Sequence, residues 1–106
     1  MPDIMIERRI SPRFALSLVA DVSEPFGANE MSGRLSDVSR TGCYIDTLRP
    51  LAPGMHVKIR LRYDGELFET LAKVIRVNPQ RGMGLHWGIN PEEKYLAVLN
   101  HWLRLI

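Results

Sequence analysis

The amino-acid sequence predicts a mainly β domain, a six-stranded antiparallel β-barrel with a C-terminal α-helix. Three features predict it. Short runs alternate apolar with polar residues, clusters of Gly, Pro, Asn and Asp punctuate those runs, and only the last segment changes to helical spacing.

Phe14, Leu16, Leu18, Ala20 and Val22 alternate with Ala15, Ser17, Val19 and Asp21, the period of a half-buried strand. Residues 24–29, which hold Pro25 and Gly27, end it. A second strand is expected over residues 30–36, then a turn over 37–42 and a third strand over 43–47. Residues 49–54, with Pro50, Pro53 and Gly54, form a loop. Beyond it Val57, Ile59, Leu61 and Tyr63 alternate strictly with Lys58, Arg60 and Arg62. Asp64-Gly65 suits a tight hairpin, whose two central residues need positive φ, so a partner strand should run from Glu66 toward Val77. After a turn over 78–82, Met83, Leu85, Trp87 and Ile89 alternate with Gly84, His86 and Gly88 in a sixth strand.

Tyr95, Val98, Leu99, Trp102 and either Leu103 or Ile106 then recur at helical spacing. Asn90 as N-cap, Pro91 at the first helical position and Glu93 as the answering acid make a helix start. The apolar face of this helix has to cover an open end or side of the barrel.

The chain has 106 residues, and its 14 Lys+Arg against 12 Asp+Glu leave a formal charge of 14 − 12 = +2. At this length about 65% of the unfolded surface can be buried, enough for one core and too little for a multi-domain catalytic apparatus. The expected organisation is a flexible arm over residues 1–13 ahead of a barrel domain over 14–106. The single Cys43 has no intramolecular partner, and no CxxC or Cys/His cluster suggests a metal. The first ten residues lack a signal-peptide pattern, and nowhere do about 18 apolar residues run together. A cytoplasmic location without membrane insertion is expected.

Signs of catalysis are missing from the sequence. Ser39 lies in no GxSxG elbow, there is no HExxH pair, and His56, His86 and His101 fall on different predicted elements. Glu92 and Glu93 are explained by a helix N-terminus, where negative charge is favoured. The chain is expected not to be an enzyme, and no cofactor is implied.

Its basic residues are unequal, 11 Arg against 3 Lys. Arginine offers a planar fork that matches phosphates, carboxylates and guanine edges, which lysine does not. Three arginines sit together in Glu7-Arg8-Arg9-Ile10-Ser11-Pro12-Arg13. A helix here would stack Arg9 on Arg13 and place Pro12 in its interior, so the segment should be extended. Extended residues four apart point to one side at a separation of roughly 13 Å, which suits two guanidinium groups bracketing one elongated anion. Downstream, Asp37-Val38-Ser39-Arg40-Thr41-Gly42 places an acid, a hydroxyl and a glycine in one turn, residue types that also serve a purely structural tight turn.

Arg9-x-x-x-Arg13 followed by Asp37-x-Ser39-x-x-Gly42 resembles the two-part signature of the PilZ domain, whose members bind the bacterial second messenger cyclic di-GMP. The resemblance extends to the six-stranded barrel, to Gly82-Met83-Gly84-Leu85 near the last strand, and to the closing helix. It implies a stand-alone receptor that binds cyclic di-GMP and changes conformation to signal to a protein effector. Arg9 and Arg13 are then the main ligand arginines, and Arg8 is placed to stack on a second, intercalated ligand. Asp37 accepts from guanine N1–H and N2–H, Ser39 bonds a base edge or phosphate, and Gly42 admits close backbone approach. Arg40 is a weaker candidate for a phosphate contact. Arg34, Arg60, Arg62, Arg76 and Arg81 are expected as surface charges.

The alternative is a PilZ-like adaptor that acts through protein contact without nucleotide. Binding of single-stranded DNA or RNA is disfavoured, because Phe14, Tyr63 and Trp87 fall on apolar strand faces rather than along a basic groove.

Overall fold

A computed structural model of the chain describes residues 13–25, 27 and 30–106. The alternating runs form β1 (Phe14–Ser23), β2 (Glu30–Val38), β3 (Gly42–Asp46), β4 (His56–Tyr63), β5 (Glu66–Asn78) and β6 (Gly82–His86). The segment of helical spacing forms α1 (Glu93–Leu105). The strands close into an antiparallel barrel in the order β1-β2-β3-β6-β5-β4, and β1 returns to pair with β4. Of the arm expected over residues 1–13, all but Arg13 lies outside the described residues, Arg8 and Arg9 included.

The period-two pattern builds the core directly. Val57, Ile59 and Leu61 of β4 are buried, while Lys58 and Arg60 between them face outward. Asp64 and Gly65 both take positive φ, 54° and 78°, as the tight hairpin between β4 and β5 requires. The helix packs on β5 and buries Leu99 and Trp102. Trp102 meets the Tyr63 ring edge-on at 5.7 Å, and Phe68 lies 5.0 Å from Trp87. These aromatic contacts join the helix to the barrel interior, and truncating a buried Trp in such a cluster costs about 3–5 kcal/mol.

Several boundaries differ from the sequence expectation, each for a local reason. The last strand stops at His86 rather than Ile89, because Trp87 N–H and Gly88 N–H both donate to Thr41 O and Gly88 turns the chain at φ 60°. Ile89 is consequently 98% exposed. Asn90 N–H donates to Trp87 O within that turn, so the helix starts at Glu93 with Glu92 as its N-cap, and Asn90 does not cap it. Phe14 is only partly buried and stays outside the core, which is filled by Phe68 and the two tryptophans. The second strand runs on through Val38, so Asp37 belongs to a strand and the turn is confined to residues 39–41.

Candidate functional site

The extension of β2 past residue 36 determines where Asp37 points. Leu35 pairs with Ile45 and Asp37 with Tyr44, two steps along β2 against one along β3, so Ser36 is the extra residue of a bulge. Without it, Asp37 would share the inward parity of buried Leu35. With it, Val38 enters the core and Asp37 turns outward. The same device recurs in β5. Val74 pairs with Leu85 and Arg76 with Gly84, which makes Ile75 the extra residue and turns Arg76 outward.

Both bulges flank a single lateral row. Asp37 pairs with Tyr44, Tyr44 with Gly84, and Gly84 with Arg76, across β2, β3, β6 and β5. Arg13, just ahead of β1, reaches the row from the side, its Nη1 donating to Asp37 Oδ1 at 2.5 Å. Together Arg13, Asp37, Tyr44, Ile75, Arg76 and Gly84 line a cleft of about 270 Å³.

Two glycines shape it, Gly84 in its lining and Gly82 beside the Tyr44 ring. A Cβ on Gly82 would lie 2.6 Å from the Tyr44 ring, so the ring can rest over the strand only because that position is glycine. Gly84 leaves the space between Tyr44 and Arg76 clear. The Tyr44 hydroxyl donates to Asn78 Oδ1 at 2.8 Å, which fixes the ring against β5. Beneath the row, the Cys43 thiol is pushed well above its ordinary pKa, first by burial and then by the Asp37 charge, with Arg13 opposing.

The turn beside the row is held from inside. Ser39 is 3% exposed, and its Oγ accepts from Thr41 N–H and Gly42 N–H and donates to Gly42 O. Trp87 Nε1 donates to Arg40 O at 2.8 Å. With the two bonds to Thr41 O, the turn is fastened to a core tryptophan and its neighbour. Ser39 is therefore placed as the organiser of the turn, its hydroxyl engaged by backbone. Gly42 also has a structural task, since a Cβ there would lie 2.3 Å from Leu85 O. The backbone that Gly42 approaches closely is β6, and its φ is not positive. The Arg40 residue is exposed and does not line the cleft.

Of the sequence-predicted site residues, then, Arg13 and Asp37 meet in the cleft, Ser39 and Gly42 shape the adjoining turn, and Arg8 and Arg9 lie outside the described residues. Tyr44 and Arg76 escaped the sequence reading. The mark of Arg76 is the spacing of the inward-facing residues of β5, which steps by two through Phe68, Thr70, Ala72 and Val74 and then by three to Val77. The same step of three from Leu35 to Val38 marks the bulge beside Asp37.

A larger groove of about 570 Å³ opens between β4, β5 and the start of α1, and Lys58, Glu69, Glu92 and Tyr95 are among its lining residues. Its charges are internally matched. Lys58 Nζ lies 2.9 Å from Glu69 Oε2, with Arg60 at 3.6 Å, and the bond from Lys58 is the main cause holding the Glu69 carboxyl below its usual range. Glu92 adds a further negative charge, so this groove is poorly suited to an anion.

The sequence profile of the PilZ domain matches residues 7–105, and the chain belongs to the PilZ family of cyclic di-GMP receptor and adaptor domains, which are generally non-enzymatic. Its fold is similar to the PilZ domain of CeSA from a cellulose-synthesizing bacterium, with 25% identity and a TM-score of 0.70 over 88% of this chain and 96% of that one. It is also similar to the Bacillus subtilis inhibitor of motility, with 18% identity and a TM-score of 0.72 over 92% of this chain. That match covers 50% of the Bacillus chain and bears on fold alone. No curated protein matches the sequence. Among the described residues no helix is long and apolar enough to cross a membrane, and no group of three or more His, Cys, Asp or Glu could hold a metal ion.

Proposed function

We propose that this protein binds cyclic di-GMP in the cleft beside Arg13 and Asp37, and that binding alters a surface read by a protein effector. The observation that carries the proposal is the Arg13–Asp37 pair, which holds a guanidinium fork and a carboxylate side by side in the lining of a cleft that Gly84 keeps open. A carboxylate accepts from the N1–H and N2–H donors that distinguish guanine, and an arginine donates to O6 and N7 or to a phosphodiester. Arg9, four residues ahead of Arg13, supplies the second guanidinium of the motif, and Arg8 is available to stack on a further base. Charge-assisted hydrogen bonds contribute roughly 1.5–3 kcal/mol each, and a micromolar complex needs about 8 kcal/mol net. A handful of such bonds is sufficient.

In the same proposal Ser39 and Gly42 act through the turn and Arg40 through its carbonyl. The segment before Arg13 is drawn across the cleft when ligand binds, and this is the change an effector senses. Titration calorimetry with cyclic di-GMP tests the proposal, with a random oligonucleotide as control. The wild type should bind the dinucleotide, and Arg9→Ala, Arg13→Ala and Asp37→Ala should each weaken it. Absence of wild-type binding would favour the adaptor without nucleotide.

A further inference from the structure

Arg76 stands at the opposite end of the row from Asp37, three inter-strand steps away, or roughly 14 Å along the sheet. Its outward direction is produced by the bulge at Ile75, which leaves that isoleucine 55% exposed. An uninterrupted alternation would instead have pointed Arg76 into the core with Val74. On its other side β5 pairs with β4 only to Lys73, with Gly54 and Met55 bonding Val74 beyond it, and Arg76 lies past these partners and is exposed. Arg13 is paired with Asp37, and Lys58 and Arg60 share Glu69. Arg76 makes no ion pair among the described residues, and it faces the cleft across Gly84, which has no side chain to intervene.

We infer that Arg76 is a ligand-binding residue, the cation that takes a phosphodiester of the dinucleotide from the β5 side while Arg13 and Asp37 hold the other end. The inference rests on the reading that this cleft is the cyclic di-GMP site. An anion with two separated negative charges is held best with a cation toward each end of its cleft, and among the described residues that line this one Arg76 is the only cation besides Arg13, whose charge is shared with Asp37. Tyr44 and Gly84 between them leave a flat floor for a purine ring. The contact to Arg76 is mainly one of charge, so lysine should replace arginine with modest loss, whereas a bidentate guanine contact or a stacked guanidinium would not survive that exchange.

The test is calorimetric titration of the full chain with cyclic di-GMP, comparing wild type, Arg76→Ala, Arg76→Lys and Arg13→Ala at low and high salt. Arg76→Ala should weaken binding about ten- to a hundredfold and reduce its salt dependence, with the ligand-free melting temperature unchanged. Arg76→Lys should recover most of that loss. If Arg76→Ala binds within twofold of wild type while Arg13→Ala is impaired, the inference is overturned and the site reading stands. If Arg76→Lys is as weak as Arg76→Ala, the assignment to a phosphodiester is overturned. No binding by wild type overturns the site reading and the inference together.

Discussion

Replacing Ser39 with alanine removes one oxygen from the turn between β2 and β3, and it separates a structural task from direct ligand contact. That oxygen accepts from Thr41 N–H at 3.3 Å and Gly42 N–H at 3.2 Å and donates to Gly42 O at 3.2 Å. All three bonds are long, which puts each at the weak end of the usual range, but the site is buried and alanine offers no replacement acceptor. The expected cost is about 1–3 kcal/mol of folding stability. For a domain of this size each kcal/mol lowers Tm by roughly 4–8 °C. Urea denaturation should show a lower midpoint with an unchanged slope, the signature of lost stability in an otherwise intact fold. Cyclic di-GMP affinity, measured where the variant is fully folded, should fall less than in Asp37→Ala, because the hydroxyl acts on the ligand only through the turn. An unchanged denaturation midpoint together with loss of ligand binding would refute this reasoning, since the hydroxyl would then serve the ligand and not the turn.

Two further outcomes follow from groups outside the ligand contacts. Cys43 is fully buried with its thiol pKa pushed up, so at pH 8 the native protein should not react with a thiol-specific disulfide reagent, while the denatured chain should release one equivalent; rapid native-state labelling would contradict the packing beneath Asp37. Glu69 has a folded pKa below its ordinary 4.5, chiefly through the bond from Lys58. Its contribution to stability is therefore complete above the ordinary value and is lost as pH falls through the depressed one. Unfolding midpoints of wild type and Glu69→Gln, followed from pH 6 to pH 2, should converge over the acid limb, and parallel curves would show that the Lys58–Glu69 pair does not act this way.

The legibility of this fold in its sequence depended on how regular each element is. In β4, where alternation is unbroken and Asp64-Gly65 closes the hairpin, strand, partner and inward face were all readable. In β2 and β5 the alternation slips by one residue, and there the sequence reading faltered. Pattern alone assigns Asp37 to a turn and Arg76 to the ordinary charged surface. A bulge is a tertiary compromise that keeps Val38 and Val77 packed on the core at the cost of an unpaired residue, and only the change in apolar spacing announces it. The end of β6 at His86 is hidden from the sequence for a related reason. Trp87 continues the apolar alternation, but its backbone leaves β6 to bond Thr41, a long-range contact without a local pattern. The motif residues themselves were visible. Their division of labour was not, because Ser39 and Gly42 owe their tasks to the partners they meet in β3 and β6.

The measurement that bears most directly on the central claim is amide chemical-shift mapping of the full chain as cyclic di-GMP is added to saturation. The largest shifts should cluster on one lateral row of the barrel, at Asp37, Tyr44, Gly84 and Arg76, with Arg13 beside it. Lys58, Glu69 and Tyr95, in the larger groove beside α1, should be nearly unaffected. Shifts concentrated in that groove, or none anywhere, would contradict the account.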